Sequence, residues 1–318
     1  MAKVKLLQVG GITDRMRDAL APHFDIDILF DQDDRAGFLR DNGGDYAAVL
    51  TNGHWGVPED VEGATPNLKV VSSYGVGYDA IDADAFADRG IKVAHTPDVL
   101  NDEVANTFVM LWLAVSRELL PSDAHARSGK WEAEGNYRLT RSVMNRRVGI
   151  LGLGRIGQTI ADRCAAFGAD IHYHSRSKKD VPYTYHDSAA SLAEAVEVLV
   201  AITPGGPETR HLVNADVLRA LGSDGLFFNV ARGSVVDEDA LVQALADGTI
   251  AGAGLDVFDE EPKIPDALKA MDNVVLTPHV ASATHETRQA MGDLVVENLT
   301  RWLEDGNVVT PVPECRHL

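Results

Sequence analysis

Val148-Gly149-Ile150-Leu151 is an unbroken apolar run that ends in Gly152-Leu153-Gly154-Arg155-Ile156-Gly157, and Gln158–Phe167 continues with helical spacing. A strand that turns through Gly-x-Gly-x-x-Gly into a helix has few alternatives. Gly152 permits the tight turn, Gly154 lets backbone approach a pyrophosphate, and Gly157 lets the helix pack closely on the strand. The helix then presents free N–H groups and the positive end of its dipole to an anion. The same three glycines alone would be weak grounds. In this strand–turn–helix setting they indicate dinucleotide binding within a parallel α/β sheet.

The rest of the chain fits such a sheet. Short β-branched runs at Lys5–Val9, Ile26–Leu29, Ala47–Leu50, Lys69–Ser72 and Lys92–Ala94 alternate with helical patterns such as Asp14–Leu20 and Asp79–Arg89. A second series follows at Val148–Leu151, Ile171–Tyr173, Val198–Ala201, Leu226–Asn229, Gly252–Asp256 and Val274–Leu276. Near-continuous apolar strands separated by helices predict parallel sheets covered on both faces, here two in tandem. Thr96-Pro97 interrupts between them and precedes a long helical pattern over Asp102–Leu120. Residues 121–145 are polar and carry Trp131 and Tyr137; they read as a lid, a subunit-contact arm or an insertion. Glu286–Glu304 is amphipathic, with a helix stop at Asp305-Gly306-Asn307.

Composition enters as a filter on partners. Hydrophobic residues make up 45% of the 318 positions and charged ones 24%, which excludes disorder, collagen and coiled coil. Against 29 Lys and Arg stand 48 Asp and Glu, so the formal charge is −19. Such a surface repels phosphate backbones and anionic lipid; neither nucleic acid nor membrane is expected as a partner. The longest apolar stretch, Phe108–Val115, is far short of the about 20 residues that cross a bilayer. The amino-terminal run has neither the length nor the cleavage site of a secretion signal, and a cytoplasmic location is expected. Cys164 and Cys315 match no metal-ligand spacing, and no metal is expected.

On this acidic chain the strand Ile171–Tyr173 ends in a basic cluster, His174-Ser175-Arg176-Ser177-Lys178-Lys179. NAD sites carry a carboxylate about 20 residues after the glycines, to accept from the ribose 2′-OH. Ser175 stands at about that distance with Arg176 and Lys178 beside it, a set that attracts a 2′-phosphate rather than repelling it. NADP(H) is therefore preferred, with NAD(H) possible. Three further strands end in polar residues: Asn229-Val230-Ala231-Arg232-Gly233, Asp256 to Glu261-Pro262, and Thr277-Pro278-His279-Val280-Ala281-Ser282. Ligands of doubly wound sheets bind at the carboxyl ends of strands, so Arg232, Asp256, Glu261 and His279 are candidates for one site.

Over nearly its whole length the chain resembles the D-isomer-specific 2-hydroxyacid dehydrogenase family. Ser73-Tyr74-Gly75-Val76-Gly77-Tyr78-Asp79, Gly149–Gly157, Asn229–Gly233, Gly254–Pro262 and Pro278–Ser282 occur in family order. Ser175-Arg176 followed by lysines resembles the NADPH-dependent glyoxylate/hydroxypyruvate reductases, hydroxyphenylpyruvate reductases included. The resemblance implies a flavodoxin-like substrate-binding domain, residues 1–99 plus 283–318, into which a Rossmann-like dinucleotide domain, 100–282, is inserted. It implies that His279 is the general acid, Glu261 its carboxylate partner and Arg232 the substrate-binding arginine. Backbone N–H groups at Val76 and Gly77 would hold the other side of the substrate carboxylate. Asp256 matches the nicotinamide-amide contact and Thr107 a contact near the nicotinamide half. Arg155 and Ile156 match the pyrophosphate turn, and Thr209 and Val230 further cofactor contacts. Where relatives have a short Pro-x-Thr-Pro-Glu-Thr stretch, this chain has Pro204-Gly205-Gly206-Pro207-Glu208-Thr209, a departure beside the adenosine.

The family dimerises through the helix at 102–120 and the arm after it, so a homodimer is implied, with Trp131 or a neighbour extending to the partner. The implied reaction is reduction of a small 2-oxo acid, glyoxylate or hydroxypyruvate, to the D-2-hydroxy acid. The same chemistry on a larger acid, of hydroxyphenylpyruvate or 2-ketogluconate type, is an alternative. Trp55, in the loop Thr51–Gly56, either narrows the substrate pocket or caps a core. A dinucleotide-sensing interaction protein is the reading from another class, and a sensor has no need of the set Arg232, Glu261 and His279.

Overall fold

The computed structural model describes residues 3–318. Two compact units emerge: one takes the chain up to Leu100 together with Thr284–Leu318, the other is Asn101–Ala283. No helix among the described residues is long and apolar enough to cross a membrane.

In the first unit, strands β1 (Val4–Gln8), β2 (Phe24–Ile28), β3 (Tyr46–Asn52), β4 (Val70–Tyr74) and β5 (Lys92–Ala94) alternate with helices α1 (Asp14–Leu20), α2 (Arg35–Asn42), α3 (Glu59–Ala64) and α4 (Ala83–Asp88). All pairs are parallel, in the order β2-β1-β3-β4-β5, which is flavodoxin-like. Every residue of β4 is buried, as expected for a strand covered on both faces.

The second unit opens with α5 (Asn101–Ser116), α6 (Leu119–Arg127) and α7 (Lys130–Glu134). Then follow β6 (Arg147–Leu151), α8 (Arg155–Ala165), β7 (Asp170–His174), β8 (Thr184–His186), α9 (Ala189–Ala195), β9 (Val198–Ala201), α10 (Ala215–Leu221), β10 (Leu226–Asn229), α11 (Glu238–Ala246), β11 (Gly252–Leu255), α12 (Asp266–Lys269) and β12 (Val274–Leu276). The seven parallel strands run β12-β11-β10-β9-β6-β7-β8. From β6 the chain winds outward through β7 and β8, then returns to β9 on the other side, so the order reverses between β6 and β9.

The closing helix α13 (His285–Asp305) belongs to the first unit. Tyr74 of β4 donates its hydroxyl to the Arg288 carbonyl at 2.9 Å. Fully buried Asn298 accepts from the Val309 and Thr310 N–H groups at 2.8 and 2.9 Å and donates to the Thr310 hydroxyl, which in turn reaches the His95 carbonyl at 2.6 Å. These bonds weave the carboxyl-terminal segment into the sheet of residues far earlier in the chain.

One expectation needs correction, and two features lie beyond the sequence reading. The helix expected over Asp102–Leu120 ends at Ser116, because Glu118 takes a left-handed conformation with φ of 48° and starts a new helix. Its carboxylate is held there by the Tyr137 hydroxyl and Arg138 Nε, each at 2.7 Å. Residues 121–145 are not irregular throughout: α6 and α7 occupy much of them. Pro121 lies in the first turn of α6, where a missing N–H costs no hydrogen bond. Strand β8 was not anticipated, since three polar residues at a sheet edge carry no apolar period.

Candidate active site

At the reversal between β6 and β9 the glycine turn has the form that its spacing implies. Gly152 has φ of 102°, and a side chain there would press on the Ile202 carbonyl at 2.8 Å. A Cβ on Gly157 would come within 2.2 Å of the Gly152 carbonyl, so helix α8 sits directly on the turn. Gly154 caps α8 without a side-chain hydrogen bond, and a Cβ built on it meets nothing within 4 Å. The first-turn N–H groups of α8, with Arg155 exposed and Ile156 half-buried, are thus presented at an open face. The buried Thr203 hydroxyl, just after β9, has no hydrogen-bond partner among the described residues. Anion-seeking amides, an open glycine and an orphan hydroxyl together fit a dinucleotide pyrophosphate.

After β7, Ser175 donates its hydroxyl to the Ser177 carbonyl at 2.7 Å. Arg176 and Lys178 are exposed, and Arg176 lies 3.8 Å from Glu208 in the 204–209 segment. That segment is closed by Thr209, whose hydroxyl donates to the Pro204 carbonyl at 2.7 Å. Despite its altered sequence it therefore keeps a defined turn facing the basic cluster.

The chemistry-bearing loops stand on the same carboxyl edge. Buried Asn229, at the end of β10, accepts from the Ala231 N–H and donates to the Arg232 carbonyl, which shapes the turn carrying Arg232. Arg232 itself donates to the Ala231 carbonyl at 2.7 Å. Buried Val230 donates its N–H to the Ala201 carbonyl of β9. Gly233, which follows Arg232, has room for nothing larger: a Cβ there would lie 1.9 Å from the Phe258 carbonyl carbon. The Arg232 turn is thereby packed against the loop that carries Glu261.

His279 Nδ1 lies 2.8 Å from Glu261 Oε2, and the Phe258 N–H donates to Glu261 Oε1 at 3.1 Å. Burial works to raise the Glu261 carboxyl, but the His279 hydrogen bond and charge, the Phe258 amide and the Arg232 charge outweigh it and hold it below the ordinary carboxylate range. His279 remains half-exposed, with its backbone at φ of 52°.

That left-handed backbone is sustained by Asp256. Fully buried, its carboxylate accepts from the Thr277 hydroxyl at 2.6 Å and from the Val280 and Ala281 N–H groups at 2.9 and 3.0 Å, while its carbonyl accepts from the His279 N–H at 2.8 Å. Burial pushes the Asp256 carboxyl up, against those hydrogen bonds. Thr107 of α5 adds a hydroxyl bond to the Ala281 carbonyl at 3.3 Å. Asn229, Gly233 and Thr277 support the site without having been assigned a role from sequence. Only their immediate adjacency to Arg232 and His279 could have marked them.

In the first unit, Val76 and Gly77 follow β4, and the Val76 carbonyl takes His95 Nδ1 at 2.9 Å. Among the described residues their own N–H groups have no protein acceptor. Trp55 caps no core: it is 43% exposed and packs edge-on against Phe30, itself part-exposed, at 4.9 Å between ring centroids.

Comparison with known proteins matches this geometry. A model of the D-isomer specific 2-hydroxyacid dehydrogenase NAD-binding domain matches residues 109–281. The chain is 41% identical to hydroxyphenylpyruvate reductase of Plectranthus scutellarioides, over 98% of this chain and 100% of that one. It is 40% identical, with the same coverage, to glyoxylate/hydroxypyruvate reductase A of Arabidopsis thaliana. Among solved structures, an NADPH-dependent glyoxylate/hydroxypyruvate reductase of Sinorhizobium meliloti in complex with NADP and malonate superposes with a TM-score of 0.93 at 45% identity, covering 99% of this chain and 98% of that one.

Proposed function

The chain belongs to the D-isomer-specific 2-hydroxyacid dehydrogenase family, and from that premise we propose that it is an NADPH-dependent reductase of small 2-oxo acids, glyoxylate and hydroxypyruvate foremost. The observation that carries the chemistry is the His279–Glu261 pair at 2.8 Å, packed beside the Arg232 turn on the carboxyl edge of the nucleotide-binding sheet.

Bound NADPH supplies the hydride that adds to C2 of the oxo acid. As the carbonyl π pair moves onto oxygen, His279 Nε2 gives that oxygen its proton, and a neutral hydroxyl results. Glu261 accepts from His279 Nδ1–H, which fixes the ring so that Nε2 is the nitrogen offered to substrate. Arg232 presents a planar fork to the substrate carboxylate. We assign the Val76 and Gly77 amides to the same carboxylate. Gly152, Gly154, Arg155, Ile156 and Gly157 would hold the pyrophosphate, and Ser175, Arg176 and Lys178 the 2′-phosphate. Asp256, Thr107, Thr209 and Val230 shape the surrounding cofactor loops.

We further read the protein as a homodimer formed through the α5–α7 arm. Neither α6 nor α7 buries a single residue, and Leu119, Leu120, Trp131 and Leu139 stand exposed, Leu139 by 98%. Light scattering that gave a monomer mass would refute this. Two free, buried thiols suit a reducing compartment, in keeping with a cytoplasmic enzyme.

The test is NADPH and NADH oxidation, side by side, with glyoxylate, hydroxypyruvate, pyruvate and hydroxyphenylpyruvate, for wild type and His279→Ala. Fast turnover of the two small acids with NADPH, lost in His279→Ala while cofactor binding persists, supports the proposal. Turnover of the aromatic acid alone would keep the mechanism and transfer the substrate to the larger class. Absence of turnover with cofactor binding intact would favour a sensor.

A further inference from the structure

Tyr173 is fully buried in β7, yet its hydroxyl emerges from the core onto the backbone of the loop that follows. Its oxygen accepts the Lys179 N–H at 2.7 Å and donates to the Lys179 carbonyl at 3.2 Å. The ring is packed against Tyr185 of β8, with centroids 5.4 Å apart, so the hydroxyl is a fixed post rather than a mobile one. Four residues back from Lys179, the Ser175 hydroxyl closes on the Ser177 carbonyl at 2.7 Å. Two hydroxyls thus hold 175–179 as a closed loop whose outward side chains include Arg176 and Lys178. Nothing packs on Arg176: its side chain is 92% exposed and its carboxylate partner, Glu208, is 3.8 Å away. The backbone beneath therefore sets where that side chain leaves the loop and what space its guanidinium can reach.

We propose that Tyr173 is a positioning residue for 2′-phosphate recognition: its hydroxyl fastens Lys179 so that the 175–179 backbone presents Arg176 and Lys178 to the phosphate before the cofactor arrives. The assignment rests on the NADPH reading above. A loop ordered in advance does not pay its ordering entropy on binding, and a loop cut free must. Tyr173→Phe removes one oxygen and keeps the buried ring, so the core is preserved while the fastening is lost.

Binding of 2′,5′-ADP, 5′-AMP, NADPH and NADH is measured by calorimetry for wild type, Tyr173→Phe, Arg176→Ala and the double variant, with thermal midpoints as a check on folding. Tyr173→Phe is expected to weaken 2′,5′-ADP and NADPH about 3- to 10-fold, the scale of one net hydrogen bond, and to leave 5′-AMP and NADH within about twofold. In the Arg176→Ala background the same change should cost less, because one of the two groups it positions is gone and only Lys178 is left. Equal weakening of phosphorylated and unphosphorylated ligands would overturn the proposal and leave Tyr173 a structural residue. So would unchanged binding of all four ligands, or an undiminished loss without Arg176. The wild-type arm separates the two claims: if wild type binds 2′,5′-ADP no better than 5′-AMP, the NADPH reading fails and takes this one with it.

Discussion

Asp256→Ala is predicted to destabilise the protein in the absence of any cofactor. The carboxylate of Asp256 is fully buried and takes three donors, the Thr277 hydroxyl and the Val280 and Ala281 amides, at 2.6 to 3.0 Å. Alanine takes the acceptor from all three, the Ala281 amide in a buried position and the other two part-buried. A buried donor without an acceptor costs about 1–3 kcal/mol, so the three together cost roughly 3–9 kcal/mol. Removal of a poorly solvated charge and entry of water into the space left behind offset part of this, and about 3–4 kcal/mol remains as the expected loss. That is a large share of the about 5–15 kcal/mol that holds a typical protein folded. At about 2–4 °C per kcal/mol for a unit of this size, the apo thermal midpoint should fall by about 6–16 °C. Asp256→Asn keeps the shape and one acceptor oxygen but turns an NH2 toward one donor; its loss should be about a third as large. Scanning calorimetry and urea unfolding on dinucleotide-free protein give the ranking. An alanine variant that melts within about 2 °C of wild type, yet binds cofactor poorly, would refute the argument. Asp256 would then be a cofactor contact only, and the His279 turn would hold itself.

Gly154→Ala and Gly157→Ala should part company: the first adds a Cβ to open space and should keep the wild-type midpoint while weakening dinucleotide binding, whereas the second drives a Cβ into the Gly152 carbonyl and should unfold early. Titration calorimetry and thermal melts tell them apart. Although burial opposes it, Glu261 is held below its ordinary range by His279, Phe258 and Arg232, so its ionised form stabilises the fold above the ordinary carboxylate value, and that contribution is lost as pH falls through the lowered one. Glu261→Gln should therefore melt below wild type at neutral pH, with the gap closing under acid conditions, below about pH 4; a gap that widened there would contradict this. Burial pushes the Cys164 thiol up to about 12 and raises that of Cys315 as well, so native protein should resist Ellman's reagent at mildly alkaline pH and react at both thiols once denatured.

The strand cores and the glycine turn were readable from the chain because both are local. A strand covered on two faces must be largely apolar, as Val198–Ala201 is and as Leu226–Asn229 is up to its closing Asn229, and these two match their observed bounds. The break at Glu118 was not readable, since a left-handed glutamate depends on Tyr137 and Arg138, about 20 positions away in sequence. Strand β8 was equally hidden, because only the β7 edge makes Thr184–His186 a strand.

The chemical groups obey the same division. Residue types and their order along the chain suffice for the family and the parallel sheets, and they put Arg232, Glu261 and His279 forward as candidates, because each motif is a short run with its own physical meaning. Which partner each group has is a matter of approach in space. The 2.8 Å contact of His279 with Glu261, the clamp of Asp256 on the His279 turn, the seat of Gly233 against Phe258 and the reach of Tyr173 to Lys179 join atoms that the chain alone does not bring together. Hydrogen bonds act over about 3 Å and only along favourable directions, and that precision arises when separate strands end side by side on one sheet edge.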